Sequence, residues 1–174
     1  MTKYNDGTLI PDSTSSTWGT SAIGARTGYV AAGVSNYVGT FGYLYNWYAA
    51  TDSKKICPIG WHVPTDAEWT TLTSYLNTVA PTGNVGGKMK STTTTWNTPN
   101  VGADNTSDFT ALPGGFRDDV GSFNSISYNA FFWSATEGGT SGFAWSRGLY
   151  GSSGNVYTNY SSESVGSSVR CLRD

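Results

Sequence analysis

Seven tryptophans, eleven tyrosines and seven phenylalanines are threaded through a chain otherwise dominated by Gly, Ser and Thr. Few folds accommodate that mixture. Hydrophobic residues of all kinds make up 37 %, so aliphatic side chains alone leave the core thin and the large rings must carry it. Small polar residues in such numbers can mean disorder. The aromatic share of 14 % and a charged share of only 13 %, about half the usual value, argue against it. Many short strands joined by Gly/Ser/Asn turns satisfy both demands, and predict a β-rich chain with little helix. The length, 174 residues, is that of one domain, residues 1–174.

Charge and hydropathy exclude whole classes of partner. The net charge is −2, with no run of either sign. Nucleic acid calls for a basic stripe that neutralises phosphates, so it is not expected as a partner. No apolar stretch approaches the roughly 20 residues of a membrane span, and membrane insertion by this chain is not expected. The opening Met-Thr-Lys-Tyr-Asn-Asp-Gly-Thr is too polar for a signal peptide. No targeting signal is therefore expected within these residues, and an export address would have to lie outside them.

Residues 1–39 read as turn-rich, with helix unlikely and a tight turn at Asn5-Asp6-Gly7. Thr40 to Ala50 is dense in rings and fits a buried strand or a short helix; its period does not decide. The clearest element follows Pro64. Thr65 and Glu68 stand in capping-box register, each side chain able to bond the other's backbone N–H. Trp69, Leu72 and Leu76 then share one helical face, which predicts a helix over residues 66–77. Asp66 and Glu68 read as cap and helix-dipole partners rather than catalytic carboxylates. No second helix is expected beyond residue 80. Phe109 to Phe116 predicts a strand running into a turn at Gly114-Gly115, and Phe131 to Thr136 a strand. Phe143 to Tyr150 alternates cleanly. Phe143, Trp145, Arg147 and Leu149 share one face; Ala144, Ser146, Gly148 and Tyr150 share the other. Gly151 to Gly154 is a turn, Asn155 to Tyr160 the returning strand, and Val169 and Cys171 lie on one face of a last strand.

The machinery of catalysis is not visible. His62 is the single histidine. It reads as a packed residue bonded to main chain, since no nucleophile elbow accompanies it. Phosphate-binding glycine loops are missing, and the scattered carboxylates do not form a glycosidase pair. Asp118-Asp119 reads as a solvated turn rather than a metal site. The expectation is a protein that is not an enzyme and has no cofactor and no metal. Cys57 and Cys171 fit no zinc or redox spacing, and stay open between two buried thiols and one long-range disulfide. The C-terminal third sets Tyr150, Tyr157 and Tyr160 among Ser, Gly and Asn, the composition of antibody-like recognition surfaces; a plain solvent-facing sheet has the same composition.

Specific strings add to this. Phe41 to Ala50 (FGYLYNWYAA), Cys57 to Leu72 (CPIGWHVPTDAEWTTL), GGKMKST at 86–92, FTALPGGFRD at 109–118, FFWSATE at 131–137, AWSRGL at 144–149 and SVRCLRD at 168–174 occur in that order. Together they resemble the Fibrobacter succinogenes major paralogous domain over nearly the whole chain. Members usually carry one more strand ahead of the TKYNDGT segment, which here follows directly on Met1. That family is similar to C-type-lectin-like domains and to the formylglycine-generating enzymes. The resemblance implies an α+β, C-type-lectin-like fold: an irregular antiparallel sheet, one or two helices, long loops, and chain ends close together. It implies that Trp61, Trp69, Trp133 and Trp145 are core, and that Cys57 and Cys171 come close enough for a disulfide.

The same strings also resemble the variable proteins of diversity-generating retroelements, in which such a scaffold displays residues rewritten at template adenines. That implies a variable ligand-binding region over residues 116–174. The display candidates are Asp119, Phe143, Ser146, Gly148, Tyr150, Ser152, Tyr157, Asn159 and Tyr160, expected to be exposed and clustered on one side. Trp133, Trp145, Leu149, Val156 and Val169 should be buried beneath. The implied role is binding a protein or glycan receptor on a phage virion or a bacterial cell surface. The main alternative is a surface or adhesin module without diversification. A calcium lectin is disfavoured because the EPN, QPD and WND strings do not occur. The formylglycine-generating activity is disfavoured because its copper needs a close cysteine pair, whereas these two cysteines sit in distant motifs.

Overall fold

A computed structural model describes residues 1–13, 18–20, 22–29, 37–79 and 83–174; parts of the turn-rich segment 1–39 therefore lie outside the described residues. The expected turn at Asn5-Asp6-Gly7 is present, with Gly7 at φ +85° donating to the Tyr4 carbonyl at 3.0 Å. Strand β1 (Arg26–Thr27) and helix α1 (Tyr37–Phe41) precede β2 (Leu44–Tyr45), which pairs antiparallel with β1. Helix α2 (Trp47–Ala50) follows at once. The ring-dense segment from Thr40 to Ala50 is thus both of the things its period left open. Asn46 makes the switch. Its buried side-chain oxygen accepts from Ala49 N–H at 3.0 Å, capping α2, and from Ala25 N–H at 2.8 Å.

Strand β3 (Trp61–His62) leads into α3 (Asp66–Val79), the long helix read from the capping box. Both halves of the box form. Thr65 N–H donates to Glu68 Oε2 at 2.8 Å and Glu68 N–H to Thr65 Oγ1 at 3.3 Å. Trp69 and Leu76 are buried on the inward face. Helix α4 (Val85–Met89), beyond residue 80, was not expected, because Gly86 and Gly87 are poor helix formers. Close approach overrides propensity there. A Cβ on Gly86 would sit 2.3 Å from the Asn155 carbonyl oxygen, and one on Gly87 2.1 Å from that of Gly102.

Strands β4 (Gly114–Arg117), β5 (Phe123–Ile126), β6 (Asn129–Glu137), β7 (Phe143–Tyr150) and β8 (Val156–Ser162) form one sheet in the order β5-β4-β6-β7-β8. Neighbours are antiparallel except β4 and β6. The paired glycines begin β4 rather than end a strand. Gly115, at φ +63°, lets β5 approach so closely that a Cβ would meet the Asn124 oxygen at 2.3 Å. The final strand is only β9 (Leu172–Arg173), antiparallel to β3. Val169 and Cys171 lie before it, packed against the cluster of Tyr45, Ile56 and Val63. The architecture is mixed α+β, with few helices and one dominant sheet.

One sheet face, bearing Phe132 and Leu149, meets Trp69 and Leu76 of α3 and Met89 of α4. Arg147 on that face is buried and reaches Asp66 at 2.6 Å, fastening β7 to the first turn of α3. Part of the opposite face, at Trp133 and Ala144, is covered by Ala50 and Trp47. The buried indoles also tie loops together: Trp133 Nε1 donates to the Tyr45 carbonyl at 2.7 Å, and Trp96 Nε1 to that of Ala111 at 3.0 Å. Trp69 and Trp133 are core as expected; Trp145, Val156 and Val169 are half-buried. Trp61 is a correction. It is 41 % exposed, because β3 and β9 form a two-stranded ribbon at the rim rather than part of the main sheet.

Candidate functional site

Register decides which of the display candidates can act together. Gly148 pairs with Phe131 on one side and Tyr157 on the other; Ser146 pairs with Trp133 and Asn159. Phe131, Ser146, Gly148, Tyr150, Tyr157 and Asn159 therefore share one face, and Phe116 of β4 joins them. Rings cross the sheet in sequence: Phe116 to Phe131 at 5.1 Å, Phe131 to Tyr150 at 5.8 Å, Tyr150 to Tyr157 at 4.7 Å, all edge to face. The first three border a cleft of about 370 Å³, whose lining also includes Asn129, Asn159 and Ser161, and Tyr157 packs on Tyr150 beside it. The covering layer of α2 does not reach this half of the face.

The floor is set by main chain. A Cβ on Gly148 would lie 2.5 Å from Asn159 Nδ2 and 3.2 Å from the Tyr150 ring, so any larger residue pushes these two lining side chains into the cleft. Ser146 Oγ and Asn159 Nδ2, on cross-strand partners, are enclosed without a hydrogen-bond partner. Such atoms cost free energy until something bonds them. Below Tyr150 lies Lys90, which the sequence reading passed over. Its fully buried ammonium donates to the carbonyls of Val101, Tyr150 and Ser153 at 2.8–2.9 Å. Burial pulls its pKa down to about 8. Three converging carbonyls and the Trp96 ring, 5.4 Å away, make it the post on which the turn after β7 is hung. The only sequence signal was a lysine spaced two residues from another behind paired glycines.

Six of the nine candidates depart from the single exposed surface expected of them. Ser146 is 1 % exposed, and Gly148 is buried beneath the side chains of Asn159, Tyr150 and Phe131. Tyr160 is exposed but pairs with Trp145, on the opposite face. There it stacks on Phe143 at 5.1 Å, and its hydroxyl accepts from Thr140 N–H at 2.6 Å, bracing the β6–β7 turn. Phe143 belongs with it. Asp119, exposed in the β4–β5 turn against Gly19, does not line the cleft, and Ser152 is exposed in the turn after β7. The candidates thus divide between two faces. Tyr150, Tyr157, Asn159 and the Gly148 floor are the group that meets.

A second constellation surrounds the chain end. His62 bonds no main chain; it is held between Asp174 Oδ1 at 2.6 Å and Glu68 Oε1 at 2.9 Å. Asp174 first, then Glu68, raises its pKa above 6.5. The Thr65 N–H and hydroxyl hold that of Glu68 below 4.5, with His62 adding to the effect. Cys57 and Cys171 form a disulfide with Cα atoms 5.8 Å apart. Distance along the chain was therefore a poor ground for setting aside a close cysteine pair; bonded to each other, however, the two sulfurs offer no thiolate to copper. Among the described residues, no three His, Cys, Asp or Glu side chains are grouped to hold a metal, and no helix is long and apolar enough to cross a membrane.

Compared with known proteins, the chain matches the family model described as the Fibrobacter succinogenes major domain over residues 1–173. No curated protein and no solved structure matches it.

Proposed function

Since the chain belongs to the Fibrobacter succinogenes major domain family, we propose that it is a ligand- or receptor-binding module of the C-type-lectin-like class, binding without chemistry through the open half of its main sheet. The observation that carries this is the ring-bordered cleft over the Gly148 floor. Tyrosines give rigid contact area at low entropic cost, and the adjoining Asn and Ser side chains supply adaptable hydrogen bonds. The lectin-like assignment is supported by the antiparallel β3–β9 pairing and by the disulfide joining the segment before α3 to the residue just before β9. A disulfide also favours an oxidising location such as a virion or bacterial cell surface. The partner class is a protein or a glycan. Replacing Tyr157, which is 40 % exposed and packs edge to face on the cleft's Tyr150, with Ala should weaken binding on an array of bacterial glycans and surface proteins at least about tenfold while leaving the fold intact. Unchanged binding would remove the cleft from the account.

Diversification by a retroelement is the narrower form of the proposal. It is supported by the patches of Ser, Gly, Asn and Tyr that alternate with the scaffold strings in residues 116–174. A specific observation favours the alternative, a fixed surface or adhesin module. Ser146 and Gly148 are enclosed, and Tyr157 and Tyr160 point to opposite faces, so the candidates do not form one replaceable surface. Sequencing the flanking DNA separates the two. A near-copy of the gene's 3′ end, differing only at adenines and beside a reverse transcriptase, establishes diversification; its absence leaves the fixed module.

A further inference from the structure

Beside the β3–β9 ribbon, a separate apolar cleft of about 300 Å³ opens between α3 and residues 170–172. Pro64, Trp69, Leu72, Phe109 and Leu172 line it, with Trp61 on its rim. One positive charge stands in it. The Arg170 guanidinium lies over the Phe109 ring at 4.5 Å, and among the described residues it makes no hydrogen bond or ion pair. The nearest acid in the lining, Glu68, already accepts from Thr65 N–H and Thr65 Oγ1 and holds His62. Arg170 is also fixed in place, because the next residue is the disulfide-bonded Cys171 and the next but one pairs with β3.

We propose that this cleft is a binding site for a small apolar carboxylic acid, its ring or chain seated against Trp69, Leu72 and Phe109 and its carboxylate on Arg170. The chemistry selects that class. A planar fork of donors fits a carboxylate with two parallel hydrogen bonds, and the guanidinium, exposed at the cleft and drawn over the Phe109 ring, has no anion of its own among the described residues. The volume is at the lower end for small-molecule sites, about 300–1,000 Å³, so the ligand is a compact acid.

The test uses the full chain and three probes: 3-phenylpropionate, its neutral amide, and a tetrapeptide ending in Phe with a free carboxylate. Two-dimensional NMR should show saturable shifts of the Trp61 and Trp69 indoles and the Arg170 side chain with 3-phenylpropionate. The amide should bind about fivefold more weakly, the upper end for a partly exposed ion pair. Arg170→Gln should lower affinity for the acid to that of the amide without moving the Trp133 indole signal, and Arg170→Lys should retain part of the preference. Equal binding of acid and amide, full binding by Arg170→Gln, or no saturable shift overturns the site. Tighter binding by the peptide than by the free acid overturns the small-acid assignment in favour of a peptide terminus.

Discussion

Removing the Cys57–Cys171 bridge should cost about 4–6 kcal/mol. The two residues are 114 apart in sequence, and the chain-entropy relation gives about 4.8 kcal/mol at 25 °C for a loop of that size. Cys57 is buried, so truncating it to Ala adds a small void, on the order of 1 kcal/mol or less. Against a typical domain stability of about 5–15 kcal/mol, that is a large fraction. At roughly 2–4 °C per kcal/mol for a chain of this length, Tm should fall by about 10–20 °C. The assay is guanidinium unfolding of Cys57→Ala/Cys171→Ala beside wild type, with and without reductant. Reduced wild type should match the double variant within about 1 kcal/mol, and both should show a steeper denaturant slope, because the unlooped denatured chain exposes more surface. A double variant less than about 1 kcal/mol below oxidised wild type would refute the loop-closure reasoning.

Three smaller perturbations test other parts of the account. Thr65→Ala should destabilise by about 1 kcal/mol in chemical denaturation, through the lost α3 cap; no loss would mean that the observed bonds at Thr65 carry no net stability. Gly86→Ala should destabilise by about 1–3 kcal/mol, because the contact with the Asn155 carbonyl outweighs the roughly 1 kcal/mol of helix propensity gained; a stabilised variant contradicts the close-approach explanation of α4. The His62–Asp174 clamp should depend on pH from both sides. The raised His62 pKa contributes stability that is complete below 6.5 and lost as pH rises through the folded value, whereas the lowered Glu68 pKa contributes stability present above 4.5 and lost as pH falls through its folded value. Amide exchange at residues 172–174 should therefore be slowest between about pH 4.5 and 6.5 after correction for intrinsic rates, and a protection that keeps rising to pH 8 would rule the clamp out.

What the sequence disclosed and what it withheld follow from range. The α3 helix was legible because Thr65 and Glu68 are three residues apart and the capping box is a local device. Strands β6 and β7 were legible because alternation survives wherever one face is buried. The helix α4 was not, because Gly86 and Gly87 are selected by the backbone of Asn155 and Gly102, which no local pattern reveals. The display face was half legible. Alternation correctly put Gly148 and Tyr150 on one face of β7, but the partner strand's register, which turns Tyr160 away from Tyr157, is a tertiary fact. Burial of Ser146 depends on which layers close over the sheet, and a polar residue in a polar chain gives no sign of that. Lys90 escaped for the same reason: a buried lysine is unusual, and its three carbonyl partners come from two distant turns.

The central claim is that binding occurs in the cleft whose floor is Gly148, and Gly148→Val tests it most directly. The added side chain displaces Asn159 and Tyr150, two of the cleft's lining residues, whereas Gly139→Val, with nothing within 4 Å, serves as the matched control. Both are to be measured against wild type on the same array of bacterial glycans and surface proteins, with Tm recorded for each. The account predicts that Gly148→Val loses at least about tenfold in affinity for every partner wild type recognises, equivalent to roughly 1.4 kcal/mol, while Gly139→Val binds as wild type. A folded Gly148→Val protein that binds those partners with unchanged affinity contradicts it.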